Sequence, residues 1–145
     1  MPTVVSILFV NPDGEILVHH RDNDPRILFP NQWSIIGGHV EDGETPEHAL
    51  VREVREEIDY DLTQFKHLAT FYDADYIRYF YVAPLDKPVS ALTLGEGQAL
   101  RFIHPRRALD ELDVCLTGRR YIEAYLYHLA YLDYLDHRKK TETRR

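Results

Sequence analysis

Residues 37–60 read Gly37-Gly38-His39-Val40-Glu41-Asp42-Gly43-Glu44-Thr45-Pro46-Glu47-His48-Ala49-Leu50-Val51-Arg52-Glu53-Val54-Arg55-Glu56-Glu57-Ile58-Asp59-Tyr60. The stretch opens as a glycine-bearing loop and turns helical at Thr45-Pro46. Threonine there is an N-cap, and proline at the first helical position gives up an N–H that would have had no partner. Spacing by four places Leu50, Val54 and Ile58 on the inward stripe, with Val51 beside it. Spacings of three and four gather Glu53, Glu56 and Glu57 on another side, next to Arg52. Like charges at i, i+4 weaken a bare helix, so this arrangement suits a hard cation that takes oxygen ligands, such as Mg²⁺. The competing reading is a solvated acidic face with surface ion pairs such as Arg52–Glu56.

Around this stretch the chain is an ordinary single domain by length: 145 residues, 44% hydrophobic and 28% charged. A net charge of −7 argues against a nucleic-acid polymer as partner. The one cysteine, Cys115, excludes an internal disulfide and sits in an apolar context that reads as packing. No apolar run reaches the ~20 residues of a membrane span, and the N-terminus lacks a signal-like segment, so the expected location is cytoplasmic.

Thr3 to Val10 is β-branched and apolar, the pattern of a strand covered on both faces. Asn11-Pro12-Asp13-Gly14 is a turn, and Glu15 to Arg21 is its hairpin partner. His19 and His20 are adjacent on a strand, point to opposite faces and cannot jointly chelate. Asp22 to Asn31 is a long loop leading to a short strand, Gln32 to Ile36, which delivers Gly37-Gly38. Arg21 faces this loop and is a phosphate-contact candidate. Trp33 reads as core or pocket wall. Phe65 to Tyr72 and Tyr76 to Val82 read as two further strands. Tyr72, Tyr76, Tyr79 and Phe80 are candidates to stack on a flat group, and Arg78, in mid-strand, is a candidate to meet an anion. Leu100 to His104 is another strand and Pro105 to Leu112 a short helix. Arg119 to His137 is a long helix with two stripes: Ile122, Leu126 and Leu129 toward the sheet, and Tyr127, Tyr131 and Tyr134 as a homodimer surface. The domain is expected to span residues 1–136, with a frayed basic tail at 137–145. This order of elements predicts an α/β fold, an α/β/α sandwich around a mixed sheet.

Gly38, five residues, Glu44, seven residues, then Arg52-Glu53-Val54-Arg55-Glu56-Glu57 resembles the signature of the Nudix hydrolase family. Asp59 stands where that signature has glycine and Tyr60 where it has an aliphatic. Asp59 fits if the position is a left-handed helix cap, because aspartate accepts positive φ more readily than most residues. The resemblance implies the same sandwich fold. It also implies hydrolysis of a nucleoside diphosphate linked to another moiety X, with water attacking a phosphorus.

By that resemblance Glu53, Glu56 and Glu57 hold Mg²⁺, or Mn²⁺ in its place, with a carbonyl of Gly37 or Gly38 as a further ligand. Glu44 joins through a metal-bound water, and Arg52 orients the carboxylates. Glu96, in Gly95-Glu96-Gly97-Gln98, resembles an acidic residue that many members bring from the loop before their last core strand. The proton from water goes to Glu53, Glu57 or Glu96. A proline some fifteen residues past the signature, typical of members that prefer ADP-ribose, is missing. Tyr76 or Tyr79 comes close to a tyrosine of dinucleoside polyphosphate hydrolases, and small size fits a MutT-like nucleoside triphosphate pyrophosphohydrolase. Two rivals are a silent nucleotide-binding sensor, which would usually lack these carboxylates, and an isopentenyl-diphosphate-isomerase-like enzyme, for which Cys115 lies too far downstream.

Overall fold

The computed structural model describes residues 1–143. Seven strands form one mixed sheet: β1 (Thr3–Val10), β2 (Ile16–His20), β3 (Trp33–Ser34), β4 (Ile36–His39), β5 (Lys66–Tyr72), β6 (Ile77–Pro84) and β7 (Ala99–Ile103). Three α-helices accompany it: α1 (Pro46–Ile58), α2 (Pro105–Glu111) and α3 (Leu116–Thr143). β1 runs parallel to β6 over its whole length and antiparallel to β4, while β5 closes that side against β6.

The predicted hairpin is only partly formed. The turn is as expected, with Gly14 at φ 78° and the Asn11 side chain accepting from Asp13 and Glu15 N–H groups. Beyond it β1 and β2 share a single pair, Val10 with Ile16, because β4 takes the place alongside β1. β2 instead pairs with β7 and β3. The sheet therefore splits into two wings, and the gap between them is where a cleft opens.

Alternation along β1 sorts its side chains to two cores. Val5, Ile7 and Phe9 pack under Leu50, Val54 and Ile58 of α1, together with Ala49 rather than Val51, which is exposed. Leu8, with Ile16, Val18 and Phe80, packs under α3 on the other face. This makes the expected three layers, helix on sheet on helix. Cys115 is buried and free.

On α3 the buried residues are Tyr121, Ile122 and Tyr125, with Leu126 packed partly buried against the same core; of the expected stripe only Leu129 is exposed. Tyr127, Tyr131 and Tyr134 also face outward, at 77%, 51% and 56% exposure. The helix runs on through Thr143 where a frayed tail was expected from residue 137. Ion pairs one turn apart, Asp136–Lys140 and Arg138–Glu142, support the added turns. Arg144 and Arg145 lie outside the described residues. No helix among the described residues is long and apolar enough to cross a membrane.

Candidate active site

α1 starts and stops as its residues dictate. The Thr45 hydroxyl accepts from the His48 N–H at 3.2 Å. At the other end Asp59 adopts φ 51°, ψ 48°, the left-handed cap for which aspartate stands in for glycine. Between these caps the helix lies beside β4, and their contact is close. A Cβ on Gly38 would overlap the Glu53 carboxylate, and one on Gly37 would overlap the Val5 carbonyl. Glycine at 38 lets the strand backbone touch the acidic helix, and glycine at 37 lets it lie close against β1.

Arg52 organises the exposed edge of that helix. Its Nε and Nη2 donate to the two oxygens of Glu44 at 2.8 and 2.9 Å, and Nη2 also reaches the His39 carbonyl at 3.0 Å. Its Nη1 donates to Glu53 at 3.0 Å and Glu56 at 3.2 Å. The guanidinium pulls the Glu44 carboxyl down to about 2, helped by the Glu41 N–H. Glu44, expected at a metal through water, thus has both oxygens engaged as the brace that holds Arg52.

Glu57 is 4% exposed and receives one N–H, from Gly37 at 3.1 Å. Burial first, and then the Glu96 and Glu53 carboxylates, push its carboxyl well above the usual range. Burial likewise raises Glu53, against the pull of Arg52.

Glu96 arrives on a loop pinned from both sides. The Gly95 and Thr93 N–H groups donate to the last carbonyls of α1, on Glu57 at 2.8 Å and Ile58 at 3.2 Å, which would otherwise lack partners. From the other wing, His19 Nε2 meets the Glu96 carbonyl at 2.7 Å, and the Gln98 N–H donates to His20 at 2.7 Å. Gly97, at φ 88°, fits against the His19 ring. His19 thus has a structural partner, as its strand position required, while His20 stacks on Trp33 at 4.6 Å.

These parts line a cleft of about 450 Å³. Gly37, Gly38, Glu53, Glu56 and Glu96 form one part of its wall, and Arg21, Tyr76 and Arg78 another. Tyr79 is elsewhere: it packs into the α1-side core, its ring 6.0 Å from that of His67. The error follows from alternation, since Arg78 and Tyr79 point to opposite faces of β6. Tyr72 is exposed at a strand end and Phe80 is buried. The sequence reading missed Ser6, Leu28, Phe29 and Tyr121, which also line the cleft. Of these, only Tyr121 carried a sequence signal: it stands one helical turn before Tyr125, three residues after Gly118, on the face that packs inward.

A divalent cation fits this donor set. Glu57 is a buried carboxylate crowded by two others and offered a single N–H, a costly arrangement that a cation relieves. All the donors are oxygens, which suits Mg²⁺ or Mn²⁺. Among the described residues no three acidic side chains already stand close enough to clasp an ion. The Arg52 guanidinium, bonded to Glu53 and Glu56, holds them instead.

Several known proteins are similar to this chain. Nucleoside triphosphatase NudI of Salmonella schwarzengrund is 48% identical over 56 residues, and its Escherichia coli counterpart (strain K12 / DH10B) is 50% identical over the same length. Each alignment spans 39% of this chain and 38% of the relative. Among solved structures, a MutT protein from Methanosarcina mazei Go1 superposes with a TM-score of 0.71 at 19% identity, covering 88% of this chain and 94% of that one. The E. coli ORF135 protein does so with a TM-score of 0.70 at 27% identity, covering 90% and 92%. The family model described as NUDIX domain matches residues 1–125. With that match over most of its length, this chain belongs to the NUDIX domain family.

Proposed function

We propose that this protein hydrolyses a pyrophosphate linkage in a nucleotide, with a divalent cation held by Glu53, Glu56 and Glu57. The observation that carries this reading is the meeting, in one cleft, of Glu53, Glu56 and Glu96 with Arg21. A bound Mg²⁺ or Mn²⁺ would neutralise phosphate oxygens and acidify water.

The chain's own residues supply the rest. Gly37 and Gly38 let the β4 backbone approach both the helix and a substrate. Glu44 fixes Arg52, and Arg52 fixes the carboxylates. Arg21 offers its charge to the phosphate chain. Glu57 is committed to the cation, so Glu96, on its pinned loop, is the group placed to receive a proton from attacking water. A nucleoside triphosphate is the favoured substrate class, because the curated relatives named above are nucleoside triphosphatases and the cleft is of a size for one nucleotide.

The test is release of phosphate or pyrophosphate from a panel of nucleoside triphosphates, nucleotide sugars, ADP-ribose and dinucleoside polyphosphates with Mg²⁺. Glu57→Gln is run beside the parent. Turnover of one class, lost in Glu57→Gln, supports the reading. Turnover indifferent to that substitution overturns it.

A further inference from the structure

The two arginines of the cleft are in different electrical states. Arg78 Nε donates to Asp73 Oδ2 at 2.8 Å, and the two side chains are only 14% and 31% exposed. The Asp73 carboxylate is itself fixed by the N–H groups of Asp75 and Tyr76, at 3.0 and 2.8 Å. The guanidinium lies 4.8 Å over the Tyr76 ring. Arg21, by contrast, donates through Nε to the Leu28 carbonyl at 2.9 Å and has no carboxylate at ion-pair distance among the described residues. Arg21 therefore keeps a full charge for phosphate. Arg78 is already neutralised, so its remaining value to a ligand is as a rigid fork of N–H donors.

Tyr121 completes this corner. It lines the cleft and is 2% exposed. Its hydroxyl has the Arg78 guanidinium as its neighbour, but not in the geometry of a regular hydrogen bond. A buried hydroxyl without a well-formed hydrogen bond is rare in a folded protein and calls for an explanation. A ligand acceptor drawn into the Arg78 fork would supply one, because the guanidinium and hydroxyl could then settle around it.

Resting on the nucleotide reading above, we propose that Arg78, held by Asp73 and Tyr76 and backed by Tyr121, reads a carbonyl on the base of the nucleotide. Arg78 touches the base; Tyr121 is a positioning residue. The fork has donors only, so it matches guanine, uracil or cytosine, each of which carries an exocyclic carbonyl. Adenine has no carbonyl: its N1 and N7 each accept one N–H, but the amine beside them would meet the second N–H of the fork, donor against donor.

The test compares kcat/KM for GTP, UTP, CTP and ATP with Mg²⁺, alongside equilibrium binding of the same four nucleotides to Glu57→Gln. The best carbonyl-bearing nucleotide should exceed ATP by at least about tenfold, the discrimination expected of one good bidentate contact. Arg78→Met should bring that ratio toward one. Tyr121→Phe, which keeps the ring and its packing, should lower it part of the way, a change in selectivity that a purely structural role would not produce. Equal or better use of ATP, or a ratio unmoved in Arg78→Met, overturns the proposal. Binding that prefers a carbonyl base without any turnover would sink the hydrolase reading and leave this corner's role standing. Turnover with no base preference would do the reverse, and neither turnover nor binding would remove both.

Discussion

The Gly95 N–H donates to the Glu57 carbonyl at 2.8 Å, and a Cβ on Gly95 would run into the backbone carbonyl of Glu56. One glycine thus docks the Glu96 loop onto the end of α1. Backbone cannot step aside as a flexible side chain can, so Gly95→Ala must push the loop off. We expect kcat/KM to fall at least tenfold, with Tm lowered by only a few degrees, since the loop is exposed and the cores are untouched. Steady-state kinetics with a thermal melt checks both halves.

Gly38 presents the opposite case. The atoms that a Cβ there would overlap belong to the Glu53 carboxylate, the far end of a mobile side chain. Gly38→Ala should therefore fold with nearly unchanged stability while displacing Glu53. Divalent-cation affinity, followed by titration calorimetry, should weaken by about tenfold or more. Unchanged affinity would mean that Glu53 is no ligand.

Asp59 holds φ 51° at the end of α1 and places a negative charge at the helix C-terminus. Both features cost stability: the first through its Cβ, the second through the helix dipole. Asp59→Gly removes both, and should stabilise the fold by about 1 kcal/mol, or roughly 2–4 °C in Tm. The residue touches none of the cleft, so activity should follow the parent.

Glu57 gives stability a pH dependence of definite sign. Its folded pKa is raised, so the folded protein holds the proton more tightly than the unfolded chain does. As pH rises above the ordinary glutamate range, this group therefore takes stability away, and acidification from pH 7 toward 5 returns it. Glu44, lowered to about 2, acts the other way: its contribution is present above the ordinary glutamate range and is lost as pH falls from about 4.5 toward 2. In EDTA, Tm should rise on going from pH 8 to 5 and fall below 4. Adding Mg²⁺ should raise Tm more at pH 8 than at pH 5, because cation and proton compete for the same carboxylate. A Mg²⁺ effect independent of pH would separate Glu57 from the metal.

Whatever is local was legible in the sequence. Thr45, Pro46 and Asp59 marked the ends of α1 because capping is decided within a few residues. Helical period brought Glu53 and Glu56 to the cleft, but it could not show that Glu57 would be buried beside them rather than lining it. Pairings between distant segments were not legible. Nothing in Glu15 to Arg21 says that β4 will displace it from β1, or that His19 will hold the carbonyl of Glu96, 77 positions away. Tyr79 was misassigned because a strand so rich in aromatics has no contrast to reveal its buried face. Tyr121 was passed over because the stripe on α3 was read from leucine and isoleucine, whereas Tyr121 and Tyr125 are buried there beside Ile122.

Arg52 is a resident counter-ion. Three carboxylates meeting without a cation would repel one another and strain the join between α1 and β4. By lending Nη1 to Glu53 and Glu56, the guanidinium lets the newly made chain fold before any ion reaches it. On the reading proposed above, a cation would take over the place that Arg52 fills, while Glu44 would keep Arg52 tethered beside it. Even when empty, such a site leaves Glu53 and Glu56 with a positive partner.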